Sequence, residues 1–95
     1  MMSKIPIELK NMDSKDIEKE VLRAAIIAEL DAINLYEQMA AMVNDKGIKA
    51  VLKDVADEEK THVGEFLTLL LKLDEKQVKE MEKGRKEVEE ILGGE

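Results

Sequence analysis

The chain has no cysteine, no tryptophan, one histidine, one proline and two aromatic residues, Tyr36 and Phe66. Without cysteine it forms no disulfide, zinc–thiolate or iron–sulfur ligation of its own. It has no apolar run of the length needed to cross a bilayer, so no membrane contact is expected. Met1 to Lys10 carries no apolar stretch before a small-residue cleavage site, so no signal peptide is expected and the chain reads as cytoplasmic and soluble. Positive charge is also short. Fifteen Lys and Arg against 22 Asp and Glu leave a formal charge of −7, which repels phosphate backbones, excludes nucleic acid as a partner and attracts divalent cations.

At 95 residues this is one small domain, and its 39% charged content implies long solvated helical faces. So short a helical unit rarely buries enough surface to stand alone, so an oligomer is expected. Residues 1–13 read as an irregular lead-in containing Pro6. Asp13 or Ser14 can cap a helix that runs to about Val43, with Asp16 and Glu18 favouring its N-terminus. Asn44-Asp45-Lys46-Gly47 reads as a turn in which Gly47 supplies a positive φ, followed by a second helix from about Ile48 to Leu73. Asp74 with Gln77 resembles a capping box opening a third helix over about 75–92, ended by Gly93-Gly94. The expected organisation is therefore a lead-in over 1–13, a helical hairpin over 14–73 and a C-terminal helix and tail over 74–95, with no strand.

The second helix presents one face as Leu52, Val55, Ala56, Glu59, His62, Val63, Phe66, Leu70 and Leu73. Only Glu59 and the sole histidine, His62, are polar there. The first helix presents Leu22, Ala25, Ile26, Glu29, Ala32, Ile33, Tyr36, Ala40 and Val43, with Glu29 its only acid. A carboxylate and an imidazole in an apolar seam are costly unless something compensates them, and a metal ion is the leading candidate. Glu59 and His62 lie about 60° apart around the helix and about 4.5 Å along it, so both reach one ion. Glu29 on an antiparallel neighbour adds another oxygen. Such a mixed oxygen and nitrogen set suits iron or manganese, and zinc less specifically.

Di-iron carboxylate bundles take one Glu from each of two helices and a Glu-x-x-His from each of two others. This chain carries half of that set. Two copies complete it, and their four carboxylates balance the charge of two Fe²⁺. Glu-x-x-His alone is common, and a lone histidine on an apolar face is ordinarily a satisfied core residue. Here the only histidine and an acid from each helix fall on facing stripes. Tyr36, seven residues after Glu29, reads either as a core tyrosine or as a hydrogen-bonding neighbour that orients a ligand carboxylate. Asp57 and Glu58 point away from the stripe. A second apolar strip on the first helix (Ala24, Ile27, Ala28, Leu35, Met39, Met42) needs another chain to cover it.

The stretch Ile27-Ala-Glu-Leu-Asp-Ala-Ile-Asn-Leu-Tyr-Glu-Gln, with Asp57-Glu-Glu-Lys-Thr-His62 thirty residues on from Glu29 to Glu59, resembles the encapsulated ferritins. These are two-helix ferritin-like cargo proteins of encapsulin nanocompartments, and the likeness is strongest to archaeal members that can be joined to the shell protein. The resemblance covers roughly residues 20–75. It implies an all-α antiparallel half-bundle with a C-terminal helix, completed to a four-helix bundle by dimerisation. It also implies a ferroxidase with Glu29, Glu59 and His62 as iron ligands and Tyr36 beside the site. The partners it implies are a homodimer assembled into a ring, commonly a decamer, and an encapsulin shell that stores the iron. In some members glutamates one before and two after the first ligand line a metal approach route; here these are Ala28 and Asp31, leaving Asp31 for that role. Leu35 stands where some members have tryptophan. No shell-targeting peptide is evident after Gly93-Gly94, which reads either as a shortened chain or as a segment taken from a fusion with the shell protein. The rival readings are a cargo module that uses metal only as a staple, and a peroxidase or manganese catalase on the same scaffold. Rubrerythrin-type electron transfer is disfavoured by the lack of cysteine.

Overall fold

The computed structural model describes residues 13–93, and 94% of it is helical. The helices are α1 (Ser14–Met42), α2 (Lys46–Leu73) and α3 (Glu75–Gly93), and no strand occurs among the described residues. The chain is all-α, as expected. The lead-in through residue 12, and Gly94, lie outside the described residues.

Asp13 starts α1: in an extended conformation, it accepts the Asp16 N–H on its side chain at 3.0 Å and the Ile17 N–H on its carbonyl at 3.1 Å. No glycine or proline interrupts the 29 residues of α1. The chain turns extended at Val43, and the connection differs from the expected turn. Asp45 takes the Ile48 N–H at 2.9 Å, so α2 starts at Lys46. Gly47 is thus inside the first helical turn, and no described residue has a positive φ. The carboxylate cap does the work assigned to the glycine and opens α2 two residues early.

The two stripes pack on each other as their spacing requires. Every residue named on them is buried or half-buried, and Ala40, Ala56 and Leu70 are the most enclosed apolar side chains. Small residues at 40 and 56 let the helices approach closely towards the hairpin's closed end. Yet no large side chain among the described residues is fully buried. The surface is 7315 Å², whereas a compact monomer of this 10.7 kDa mass exposes about 5,500 Å². The fold is a half-core.

A single residue, Asp74, separates α2 from α3. Helical hairpins need about 2–5 connecting residues, so α3 leaves the hairpin instead of folding back. Exposure along its apolar stripe rises from 44% at Val78 to 80% at Ile91. The corner is held by one carboxylate. Asp74 accepts the Gln77 N–H at 3.0 Å on one oxygen and the Arg23 guanidinium of α1 at 2.8 Å on the other, while Arg23 also meets Glu20 at 3.4 Å. The Gln77 N–H holds the Asp74 carboxyl below its ordinary range. Loss of hydration opposes this, and Lys19 and Arg23 reinforce it.

A carboxyl lowered by folding stabilises the native state above its unfolded pKa, and that contribution is lost as pH falls through the folded pKa. Asp74→Asn keeps a cap but loses the ion pair. It is therefore expected to melt lower than the parent at neutral pH, with the gap closing below the ordinary carboxylate range. Melting curves across pH 2–7 check this, and a gap independent of pH would contradict it.

Candidate metal centre

Glu29 sits near the middle of α1, and Glu59 and His62 sit near the middle of α2. Antiparallel packing of the stripes brings all three together. One ligand atom from each lies within 4.8 Å of the others, the only such group of three found among the described residues. His62 Nδ1 is 3.4 Å from Glu29 Oε2 and 3.7 Å from Glu59 Oε1. The carboxylates are well shielded, with side chains 19% and 18% exposed, whereas His62 is 42% exposed at the edge of the seam.

The electrostatics are those of a site built for positive charge. The Glu29 carboxylate, close enough to share a proton, pushes the Glu59 carboxyl above its ordinary range; lost hydration and the charge of Glu29 act the same way, and His62 opposes them. At His62 lost hydration favours the neutral ring. The hydrogen bond to Glu29 and the charges of Glu29 and Glu59 outweigh it, and the imidazole pKa is raised. In both cases the converging acids favour the form that holds a proton. Two oxygens and a nitrogen at this spacing fit a divalent transition metal, which would displace that proton.

Other residues divide as follows. Tyr36 is half-buried on the α1 stripe, two turns from Glu29, and its hydroxyl has no hydrogen bond to either carboxylate within the chain. Asp31, about 200° around α1 from Glu29, does not join the trio; with Asn34, Leu35 and Gln38 it lines a shallow depression. Asp57 and Glu58 are exposed, as expected. One feature escapes sequence reasoning: Lys60, next to Glu59, reaches Glu37 of α1 at 2.9 Å and Asp57 at 3.4 Å, clipping the helices together beside the trio. Its charge pattern is that of any solvated face, so no sequence signal singles it out.

The chain matches the EncFtn-like family over residues 5–87. It belongs to that family. The EncFtn-like chain is 58% identical over 80 residues to the ferritin-like–encapsulin shell fusion protein of Pyrococcus furiosus, covering 84% of this chain and 23% of that protein. It is 43% identical over 56 residues to EncC, an encapsulin nanocompartment cargo protein of Myxococcus xanthus, covering 59% of this chain and 43% of that one. It therefore spans less than half the length of either relative. Its fold is similar to the crystal structure of the encapsulated ferritin domain from P. furiosus, with a TM-score of 0.83, 52% identity and coverage of 95% and 97%. The sequence likeness to the archaeal fusion type accords with these matches. No described helix is long and apolar enough to cross a membrane.

Proposed function

We propose that this chain is a ferroxidase subunit whose di-iron centre is completed by a second copy. The observation that carries this reading is the convergence of Glu29, Glu59 and His62 from two helices to within 4.8 Å. That half-site lies beside an uncovered apolar side. Val21, Ala28, Leu35 and Met42 recur every seven residues on α1, and Val51, His62 and Leu69 share one side of α2. Val21, Leu35, Met42, Val51 and Leu69 are all exposed, and Val21 and Leu69 line an apolar groove of about 460 Å³ at the open end of the hairpin. A second hairpin laid antiparallel across this side covers the groove with its closed end. It also brings two half-sets together, because the trio sits at the helix midpoints. The product is a four-helix bundle with two Glu29, two Glu59 and two His62.

Glu59, the acid of the Glu-x-x-His pair, would bridge the two ions, and Glu29 and His62 would be terminal ligands. Hard carboxylates favour the higher charge of the product ion and can shift between bridging and terminal binding. Two Fe²⁺ supply two electrons, which with two protons reduce dioxygen to hydrogen peroxide or one hydrogen peroxide to two waters. Tyr36, which meets neither carboxylate within its own chain, orients Glu29 or Glu59 once the second copy is in place, and Asp31 serves the approach of iron. The hairpin over 14–73 carries the chemistry, and the segment over 74–95 serves assembly into a larger ring, such as a decamer. Kinship with a shell fusion and an encapsulin cargo protein supports a place inside an encapsulin nanocompartment of the cytoplasm, where the shell retains the oxidised iron.

The test compares metals and oxidants. Fe²⁺ with dioxygen is expected to give oxygen uptake and growth of ferric absorbance. Zn²⁺ is expected to occupy the same ligands and inhibit. Association driven equally by Fe²⁺ and Zn²⁺ without turnover would establish the staple reading instead. Manganese-dependent peroxide breakdown would establish a catalase.

A further inference from the structure

The EncFtn-like hairpin explains α1 and α2 and leaves α3 without a partner. Val78, Met81, Val88, Ile91 and Leu92 are the large apolar side chains of α3, all of them exposed, and they fall in two groups on either side of Gly84 and Arg85. The one-residue joint at Asp74 stops α3 from covering its own hairpin, and packing, not intrinsic propensity, supplies most of the stability of a helix this short. At the midpoint of the 19 residues of α3 stands Gly84. A glycine inside a helix costs about 1 kcal/mol relative to alanine. Within the chain nothing requires it, since a Cβ built there meets no atom within 4 Å.

We propose that α3 pairs antiparallel with α3 of a second copy, about a two-fold axis between Gly84 and Arg85, across which Val78 and Met81 mirror Ile91 and Val88 while Leu92 falls opposite Gln77. Reversing the helix there lays Val78 over Ile91 of the second copy, Met81 over its Val88 and Gly84 beneath its Arg85. Each contact occurs twice, as an isologous interface requires. The glycine is then explained: it makes room for the largest side chain in the seam. Arg85 is already paired with Glu82 and Glu89 on its own helix, so its guanidinium enters the contact with ion partners in place and offsets part of the charge of the flanking acids. The paired helices run alongside for about 28 Å. This contact is separate from the metal-bearing side and does not depend on iron.

The absence of cysteine gives a direct test, because any disulfide must join two introduced thiols. Met81→Cys and Val88→Cys chains are mixed without metal under mild oxidant and resolved by mass. The expected result is a mixed 81–88 disulfide well above either like pair. Like pairs alone would mean a parallel pairing, and no product above background would mean that α3 lies elsewhere; either overturns the proposal. As a second arm, Gly84→Leu favours helix and leaves the hairpin untouched, so helical content by circular dichroism is expected to hold. Overpacking at the crossing is expected to weaken metal-free association by about ten-fold or more, read by sedimentation, whereas Gly64→Ala on α2, equally unobstructed, leaves it unchanged. Unaltered association of Gly84→Leu would also overturn the proposal.

Discussion

Glu59→Ala is expected to cut the initial rate of Fe²⁺ oxidation by at least about 100-fold, a larger loss than the 10- to 100-fold typical of residues that only orient a ligand. Removing the bridge takes one carboxylate from each half of the centre and leaves Glu29 and His62 of each copy without the group between them. The helix should not suffer, because alanine is a better helix former than glutamate and Glu59 carries no structural hydrogen bond to the backbone. Circular dichroism should therefore match the parent while oxygen uptake and ferric absorbance fall to background. Tyr36→Phe, which keeps every ligand, belongs beside it as the milder comparison and is expected to slow the reaction about ten-fold. Parent-like oxygen uptake by Glu59→Ala would remove the trio from the chemistry.

The second large effect concerns assembly. Because the isolated chain is a half-core with a converging, partly desolvated set of acids, metal binding and burial of the apolar side should reinforce each other. At a free metal concentration about 1,000 times Kd, binding to the folded state alone adds about 4 kcal/mol. For a domain of this size each kcal/mol shifts the midpoint by about 4–8 °C, so a rise of roughly 15 °C or more is expected with Fe²⁺ under anaerobic conditions. Solution mass should step up at least two-fold at the same time. Chelation should reverse both changes, and His62→Ala should abolish the shift in melting. A melting curve and mass insensitive to metal would refute a centre shared between copies.

Most of the hairpin was legible because its signals are local and periodic. Spacing of three and four placed each named stripe residue against the other helix, the cap of α1 was narrowed to Asp13 or Ser14, and Asp74 announced its cap through the Gln77 that follows it. The trio was legible for a related reason: Glu29, Glu59 and His62 are the polar exceptions in otherwise apolar rows, and antiparallel packing of helices of nearly equal length brings their midpoints together. What the sequence hid was decided by competition or by distance. At the turn the expectation rested on Gly47, and the Asp45 side chain, accepting an orphan N–H at the start of α2, outweighed the glycine's conformational freedom. The Arg23–Asp74 pair spans 51 residues, and the Lys60–Glu37 clip lies among many interchangeable surface charges. Neither leaves a periodic trace.

The elbow at Asp74 makes the molecule a lever. With an arm of about 28 Å beyond a single-residue pivot, a 10° change in bend carries the tip about 5 Å sideways, roughly the spacing between neighbouring ridges on a helix. An error that would be harmless inside the hairpin therefore shifts the far end by a whole notch. The tolerance on any structure built through that arm is set by one guanidinium gripping one carboxylate.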